Sequence, residues 1–452
     1  MPKQIILAAH FPGVNNTTVW SDPASGSQID FSSFVHLART AERGLFDFFF
    51  LAEGLRLREH RGRIHDLDVM GRPDTLTVLA ALAAVTTHLG LAGTLNATFR
   101  EPYELARQLA TLDHLSGGRT AWNVVTTSDA FTGENFRRGG FLDRSLRYER
   151  AREFVRTARE LWESWPADAV VGDRAGGRYL STADPGAFRH RGDQFDIEGH
   201  FNVPRSPQLH PVILQAGDSS EGREFAASSV DAIFSRHGTL EAGQEFYRDV
   251  KSRLDRYGRK PDELKILPAV TVVLGDTDAE AQEKAHHIRR QQFSPQTALV
   301  LLEQLWNRDL SGYDPEGPLP DIDPDVSAEA ISKGRAGRYA DPIATARQWR
   351  ALAKEKGLGI RDLMIEVAGR QSFIGTPEHV AERMNHFVQS DASDGFILVP
   401  HLTPGGLDEF VDRVVPLLQE RGVFRTRYTG TTLREHLGLG PARPVTATAA
   451  SR

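Results

Sequence analysis

The sequence predicts an α/β protein built as an eightfold β/α barrel. Eight short segments rich in Phe, Val, Ile and Leu alternate along the chain with longer segments whose apolar residues recur every three or four positions. The short segments are apolar almost throughout, which is typical of parallel strands that are buried on both faces. A closed (β/α)8 TIM barrel with insertions is the simplest arrangement of these units, and an open doubly wound sheet is the alternative.

The predicted strands are spaced so that a helix fits after each. They are Ile5–Phe11, Phe46–Glu53, Leu89–Asn96, Thr120–Thr127, Pro211–Gly217, Ala232–Gly238, Ile266–Gly275 and Gly395–Pro400. The clearest helix follows the fourth strand, and its apolar residues form one stripe: Tyr148, Ala151, Phe154, Val155, Ala158, Leu161 and Trp162. Another helix runs from Pro102 to Leu115 and ends at Gly117–Gly118, because glycine readily takes the left-handed conformation that caps a helix.

Two long segments interrupt the alternation, and we predict that both are insertions into one barrel domain spanning 1–440. The first lies near 164–210 and is rich in Gly, Asp and Arg. The second lies near 276–393 and contains the proline-rich stretch Asp309–Ser327, which is incompatible with regular structure. Long insertions in a compact domain usually cover an active site or build a subunit interface. Residues 441–452 are predicted to form a disordered tail.

Composition and charge exclude several classes of function. The 452 residues include 54 basic and 60 acidic side chains, and the net charge of −6 argues against nucleic acid or an anionic membrane as a partner. The absence of cysteine excludes disulfides, thiolate-bound zinc, iron–sulfur clusters and cysteine nucleophiles. Ile5–Ala9 is too short for a signal-peptide core, and Val78–Val85 is too short to span a bilayer. We therefore expect a soluble, cytoplasmic protein.

Polar side chains end nearly every predicted strand, on the side where the active sites of β/α barrels collect. They are His10, Glu53, Asn96, Asn123, Thr126, Thr127, Gln215, Asp218, His237 and His401. A single polar residue in such a position is commonly only a loop or helix cap. Their recurrence at nearly every strand end predicts an active site there.

The segment Gln215–Gly222 (QAGDSSEG) is the most distinctive local motif. It joins an apolar strand to a predicted helix, and small residues at a helix N-terminus expose backbone N–H groups that suit a phosphate. Asp218 would repel a phosphate unless it caps the helix and leaves Gly217 and Ser219 to contact the ligand. Two alternatives stay open: an ordinary capped helix, or a hydrolase nucleophile elbow at Ser219, in which Glu221 occupies the place of the second glycine.

No metal site and no nucleotide fingerprint are predicted. Glu59–His60 and His65–Asp66 could suggest a metal pair, but the arginines around them would repel a cation, which favours a solvated loop. Gly438–Gly440 lacks the third glycine and the following helix that dinucleotide binding requires. Other arginines follow the second, third and fourth strands, where they either bind an anionic group or lie solvated. These are Arg56, Arg58, Arg100, Arg137 and Arg138.

Several segments are informative as an ordered set. They are Phe46–Gly54 (FDFFFLAEG), Glu101–Arg107 (EPYELAR), Thr111–Thr127 (TLDHLSGGRTAWNVVTT), Arg147–Tyr148 with Leu161–Trp165 (LWESW), Asn202–Pro207 (NVPRSP), Val212–Gly222 (VILQAGDSSEG) and Arg421–Leu437. This set resembles the bacterial luciferase-like flavin monooxygenases. The resemblance is to the branch that contains the nitrilotriacetate, EDTA, dibenzothiophene sulfone and long-chain alkane monooxygenases, and it extends through most of the chain.

The resemblance implies a luciferase-like barrel that binds reduced FMN at its C-terminal face. It implies that the enzyme uses dioxygen to oxygenate a small sulfur- or nitrogen-containing substrate, with cleavage of a C–S or C–N bond. A separate NAD(P)H:flavin reductase would supply the reduced FMN, and the chain would form a homodimer or homotetramer. Transferred residue by residue, the resemblance places these residues at the flavin: Glu53, Asn96, Asn123, Thr127, Tyr148, Gly217, Asp218 and Ser219.

The resemblance also implies catalytic roles for His10, Asn96, Asn123 and Thr126, which would hold the activated oxygen, and His10 would deliver a proton. Glu53 stands where relatives usually have Asp. Two other functions stay open. A second enzyme class of the same superfamily transfers hydride with a deazaflavin, and its pocket differs mainly in detail. A non-catalytic flavin-binding barrel is disfavoured by the polar strand ends and the long insertions.

Overall fold

The computed structural model describes residues 2–15, 17–64, 72–127, 130–137, 143–237, 239–333, 339, 341–369 and 372–445. Eight parallel strands form a closed barrel in which each strand pairs with its neighbours in chain order and the eighth pairs with the first. The predicted (β/α)8 TIM barrel is therefore confirmed, and the open sheet is excluded.

All eight barrel strands coincide with predicted strands. They are β1 (Ile6–Phe11), β2 (Phe48–Leu51), β3 (Gly90–Asn96), β4 (Thr120–Val125), β5 (Val212–Gln215), β6 (Ala232–Ser235), β7 (Lys265–Val270) and β8 (Gly395–Leu398). Most end earlier than predicted, because the chain leaves the barrel there to form the loops at its mouth. The predicted strand Ile266–Gly275 is divided, since Val272–Leu274 pairs outside the barrel with Phe373–Gly375.

A helix follows each of the first six strands. These helices are α1 (Phe31–Arg43), α2 (Thr75–Ala83), α3 (Pro102–Ser116), α4 (Arg147–Glu163), α5 (Ser220–Ser229) and α6 (Leu240–Arg253). Between β7 and β8 lie α7 (Asp278–Gln292), α8 (Pro295–Trp306), α9 (Pro342–Lys356), α10 (Ile360–Ala368) and α11 (Pro377–Gln389), and α12 (Asp408–Arg413) and α13 (Val415–Glu420) follow β8. The apolar stripe predicted on α4 is buried, and α3 ends at Gly117 with φ 67°, as predicted.

Side chains alternate along each barrel strand between the interior and the surrounding helices. Ile6 and Ala8 belong to the interior cluster, whereas the opposite faces of the strands pack against the helices. Leu433 and Leu437 close the interior at the N-terminal ends of the strands, where the Leu433 N–H donates to the Gly118 carbonyl just before β4. The loops that carry the predicted site residues lie at the opposite, C-terminal ends.

The segment between α4 and β5 contains strands that the sequence analysis did not predict. They form two antiparallel hairpins, Val170–Asp173 with Arg178–Leu180 and Ala187–Arg191 with Asp196–His200. His190 holds the second hairpin on α4, because its ring nitrogens lie 2.6 Å from Glu160 Oε2 and 3.2 Å from Glu153 Oε1. The proline-rich stretch Asp309–Ser327 has no helix or strand, as predicted.

The C-terminal residues are described in part. Of the predicted tail 441–452, residues 441–445 are described, and the Val445 N–H donates to Glu163 Oε1 at 2.8 Å. Residues 446–452 lie outside the described residues. Within the described ranges, no helix is long and apolar enough to cross a bilayer.

Candidate active site

Three of the predicted strand-end residues lie on the interior face of the barrel at its C-terminal end. His10 continues the interior row of β1 that contains Ala8, Asn96 ends the interior row of β3, and Asn123 follows Ala121 in the interior row of β4. The first four strands are consecutive neighbours in the barrel, so the three side chains share one sector of its mouth.

His10 presents a neutral imidazole in a defined orientation. Its Nδ1 lies 3.2 Å from the backbone carbonyl oxygen of Phe50, which can only accept, so Nδ1 carries the proton and Nε2 is left as an acceptor. Burial lowers the pKa of His10 to about 4. The His10 ring packs at 5.2 Å from Phe50, which stacks at 6.0 Å on Phe234. At neutral pH the His10 ring is therefore neutral, with Nε2 as its acceptor nitrogen.

Glu53 supports the end of β3. Its Oε2 accepts from the Asn96 backbone N–H at 3.0 Å, and its Oε1 accepts from Arg100 Nη2 at 2.9 Å. Burial raises the pKa of the Glu53 carboxyl, and the Arg100 guanidinium opposes this effect. Arg100 was one of the five arginines considered as ligands for an anionic group, and the structure shows that it is engaged by Glu53.

Asn96 and Asn123 each have one buried side-chain atom without a hydrogen-bond partner among the described residues. These atoms are Asn96 Nδ2 and Asn123 Oδ1, in side chains that are 0% and 2% exposed. Leaving a buried donor or acceptor unpaired costs about 1–3 kcal/mol, and native structures pair nearly all such groups. A polar ligand in the barrel mouth can pair with both atoms.

The other strand-end residues lie in the loops at the barrel mouth. Thr126 and Thr127 directly follow β4 and are half-buried. His237 follows β6, and its Nε2 lies 3.4 Å from Asp218 Oδ1. His401 follows β8 and lines a small pocket that His10, Asn96 and Asn123 do not line. Burial lowers the pKa of His401 to about 4.

The predicted phosphate segment is a strand–loop–helix unit, but the helix cap differs from the prediction. Ser219 is the N-cap of α5, and its Oγ accepts from the Gly222 N–H at 3.1 Å. Asp218, predicted as the cap, instead accepts from Arg223 Nη2 at 3.0 Å. Ser219 takes the cap because it lies three residues before Gly222, within reach of the third helical N–H. Pairing with Arg223 offsets the negative charge of Asp218 beside the loop.

Two glycines let the Tyr148 hydroxyl approach this loop closely. A Cβ atom would lie 2.7 Å from Tyr148 Oη if placed on Gly217, and 2.9 Å from it if placed on Gly222. Tyr148 is buried, and the Arg147 guanidinium lies 4.8 Å from its ring centre. The loop thus combines a helix N-terminus, a tyrosine hydroxyl and a nearby cation, which together suit a phosphate group.

The interpretation of Glu59–His60 as a solvated loop is wrong for His60. His60 Nδ1 lies 2.6 Å from Ser332 Oγ, and its Nε2 contacts the buried Glu303 carboxylate of α8. The fold brings α8 against this segment from a distant part of the chain, which local sequence does not reveal. His65–Asp66 lies outside the described residues. In the ranges that the structure describes, no group of three or more His, Asp or Glu side chains could hold a metal ion.

The arginines near the mouth have different surroundings. Arg56 donates to Glu134 at 2.8 Å, and Arg137 is exposed. Arg138 lies outside the described residues. Arg72 was not among the predicted site residues; it is half-buried, and its charge further lowers the pKa of His10.

Comparisons with known proteins identify the family of the chain. The family model for the luciferase-like monooxygenases matches residues 12–394. The chain is 39% identical to N-acetyl-S-(2-succino)cysteine monooxygenase of Bacillus subtilis over 97% of both chains, and 40% identical to nitrilotriacetate monooxygenase component A of Aminobacter aminovorans over 92% of this chain and 91% of the relative. A crystal structure of riboflavin lyase with modified FMN and riboflavin superposes with a TM-score of 0.81 at 31% identity over the whole of both chains. The chain therefore belongs to the luciferase-like monooxygenase family, as its sequence predicted, and is an enzyme of the monooxygenase class.

Proposed function

We propose that the chain is the oxygenating component of a two-component monooxygenase. It uses reduced FMN and dioxygen to oxygenate a small sulfur- or nitrogen-containing organic substrate, and a C–S or C–N bond is cleaved. The observation that carries this proposal is the pair of buried amide atoms of Asn96 and Asn123, which face the interior beside His10 and lack partners within the described ranges. A flavin ring carries both carbonyl oxygens and N–H groups, so it can satisfy both atoms.

The loop before α5 fits the phosphate of FMN. A side chain at Gly217 would crowd the Tyr148 hydroxyl, so the glycine keeps this space open. We assign phosphate binding to Gly217, Ser219 and Tyr148, while Asp218 stays paired with its own arginine. β4, which carries Asn123, and β5, which leads into the loop, are neighbours in the barrel. The ring and phosphate positions are therefore contiguous.

When bound, reduced FMN supplies two electrons and activates dioxygen so that one oxygen atom is transferred to the substrate. The side chains of the barrel hold and surround the reactants. Asn96 and Asn123 orient the flavin ring, and neutral His10 offers Nε2 as an acceptor for a proton-bearing group. Phe50 and Phe234 form an apolar wall that excludes water from the interior.

Three further residues complete the assignment. Glu53 positions the end of β3 through the Asn96 N–H and contributes to the flavin site in this way. Thr126 and Thr127 follow Asn123 at the barrel mouth. We assign Thr126 to holding the activated oxygen and Thr127 to contacting the flavin.

We propose that reduced FMN arrives from a separate NAD(P)H:flavin reductase. The sequence has no dinucleotide-binding fingerprint, and the eight predicted strands all belong to one barrel. By its name, the relative from Aminobacter aminovorans is one component of a larger system. We expect a homodimer or homotetramer that works in the cytoplasm, where NAD(P)H-dependent reductases are available.

The test is an oxygen-electrode assay with chemically reduced FMN and a panel of sulfur- and nitrogen-containing organic acids, amines and sulfones. The proposal predicts that at least one compound gives oxygenated product in proportion to the dioxygen consumed. Substrate reduction by a reduced deazaflavin without dioxygen would support the hydride-transfer alternative. Tight FMN binding without product from any compound would support a non-catalytic barrel.

A further inference from the structure

Three side chains outside the candidate active site are joined in a row. Ser332 Oγ lies 2.6 Å from His60 Nδ1, and His60 Nε2 contacts Glu303 Oε2. Glu303 lies on α8. Ser332 lies directly opposite His60 in a short antiparallel strand pair. We call these three residues the serine cluster, and none of them is among the residues proposed to hold the flavin or the oxygen.

The carboxylate of Glu303 holds the His60 ring in place. It is itself fixed, because its Oε1 accepts from the Leu310 backbone N–H at 2.6 Å. Only 3% of the Glu303 side chain and 9% of the His60 side chain are exposed. The pair is therefore largely removed from water, and a charge-assisted hydrogen bond is strong in such surroundings.

The contacts give the two imidazole nitrogens different tasks. An ionised carboxylate can only accept, so His60 Nε2 carries the proton that faces Glu303. In the neutral ring Nδ1 is then an acceptor, and the Ser332 hydroxyl can donate to it. A hydroxyl, an imidazole base and a carboxylate in this order form the nucleophile arrangement of serine hydrolases. The two nitrogens are exchanged relative to the usual order, but each is an acceptor in one tautomer and can act as the base.

Ser332 differs from its two partners in exposure. It is half-buried, so part of it faces solvent, whereas the side chains of His60 and Glu303 behind it are almost fully buried. Ser219, the serine that the sequence analysis considered as a hydrolase nucleophile, instead uses its Oγ to cap α5. The fold thus places the geometry of an accessible nucleophile at Ser332 rather than at Ser219.

We propose that Ser332 is a nucleophile that carboxylic esters acylate, with His60 as its general base and Glu303 as the residue that positions the base. In the acylation step Ser332 Oγ bonds to the ester carbonyl carbon while its proton passes to His60 Nδ1. The bond from that carbon to the alcohol oxygen then breaks, and the departing alcohol takes the proton from His60. Water hydrolyses the acyl-serine by the same two steps and restores the hydroxyl. This site does not depend on the proposed function at the barrel mouth.

A fluorophosphonate that carries biotin tests the reactivity of Ser332, since an activated serine displaces fluoride and keeps the phosphonyl group. Ser311 is the internal control, because it is exposed and its hydroxyl donates at 2.6 Å to a carboxylate, that of Asp309, rather than to an imidazole. Digestion and mass spectrometry quantify both serines in one sample. We expect Ser332 to be labelled at least about 100-fold faster than Ser311, because a general base contributes about 10²–10⁴-fold. Equal labelling of the two serines, or no label at Ser332, would overturn the proposal.

Hydrolysis of p-nitrophenyl acetate tests the assigned roles. Ser332→Ala should remove the hydrolysis that wild type and the control Ser311→Ala share, and FMN affinity should be unchanged in both variants. His60→Gln should lower kcat at least about 100-fold, which is the contribution of a general base. Glu303→Gln retains an oxygen for the Leu310 N–H. It should lower kcat about tenfold or more and leave KM within about twofold, because Glu303 contacts the base and not the ester.

Equal hydrolysis by wild type and S332A would overturn the assignment, and so would full activity in H60Q. A raised KM with unchanged kcat in E303Q would show that Glu303 does not position the base. Thermal melting identifies any variant that is unfolded, and the comparison of Ser332 with Ser311 is made in wild type and needs no variant. Failure of wild type to bind FMN would contradict the proposed function and leave this inference standing.

Discussion

Gly217→Ala is expected to damage the phosphate loop. The added Cβ atom would lie 2.7 Å from Tyr148 Oη and would also contact the Gln215 side-chain amide. Non-bonded heavy atoms pack best at about 3.5–4.0 Å. The Gln215 and Tyr148 side chains are both buried, and the Tyr148 ring packs against Phe225, so neither can easily move away. Overpacking of this kind costs about 1–3 kcal/mol, so the free energy of unfolding should fall by that amount and FMN affinity by about tenfold.

The assays are urea unfolding followed by tryptophan fluorescence, and titration of FMN by fluorescence quenching. Gly312→Ala is the matched control, because a Cβ atom at Gly312 meets no described atom within 4 Å. The double substitution G217A/Y148F removes the crowded hydroxyl and should recover part of the lost stability. Wild-type stability and wild-type FMN affinity in G217A would refute the assignment of a tight loop at this position.

Three further predictions concern the cap, a buried histidine and the reductase. Ser219→Ala removes the N-cap of α5 and should lower the free energy of unfolding by about 1 kcal/mol in urea unfolding; an unchanged midpoint would contradict this cap. The folded-state pKa of His10 is about 4, below its ordinary value of 6.5, so folding stability falls as the pH drops from about 6.5 toward 4. When the pH is lowered from about 7 to 5, the free energy of unfolding should fall by about 2 kcal/mol less in His10→Asn than in wild type. An equal fall in both proteins would refute a buried neutral His10 ring. The purified chain with NADH, FMN, substrate and air should oxidise NADH rapidly only after an unrelated flavin reductase is added; rapid coupled turnover without the reductase would exclude the two-component proposal.

The barrel could be predicted from the sequence because each of its strands is recognisable from its own residues. Strands such as Phe48–Leu51 and Val212–Gln215 are apolar on both faces, and this composition identifies parallel buried strands without knowledge of the partners. The hairpins between α4 and β5 escaped prediction because their strands are mostly exposed. Val170–Asp173, for example, is exposed at every position and therefore lacks the alternation of a half-buried strand.

The candidate site could be predicted only in part. The position of Asn96 and Asn123 at strand ends follows from strand boundaries, whereas the contacts of their amides, with the turn at Thr98 and with Thr94 on the neighbouring strand, depend on the folded structure. The cap on α5 was misassigned by one residue, because Asp218 and Ser219 are adjacent and both residue types are good N-caps.

The contact of His60 with Glu303 lay beyond sequence reasoning. The two residues are 243 positions apart, and the fold alone brings them together. Glu53 shows the same limit on a smaller scale, since its contact with the Asn96 N–H joins the loop after β2 to the last residue of β3, 43 positions along the chain.

We propose that this barrel transfers oxygen from dioxygen to an organic substrate with reduced FMN. The most direct measurement supplies reduced FMN and isotopically labelled ¹⁸O₂ to the purified chain with a substrate found in the panel, and mass spectrometry then locates the label. We expect one labelled oxygen atom per molecule of oxygenated product, with no label when ¹⁸O is supplied only as water. Product whose oxygen comes from water, or product formed without dioxygen, would contradict it.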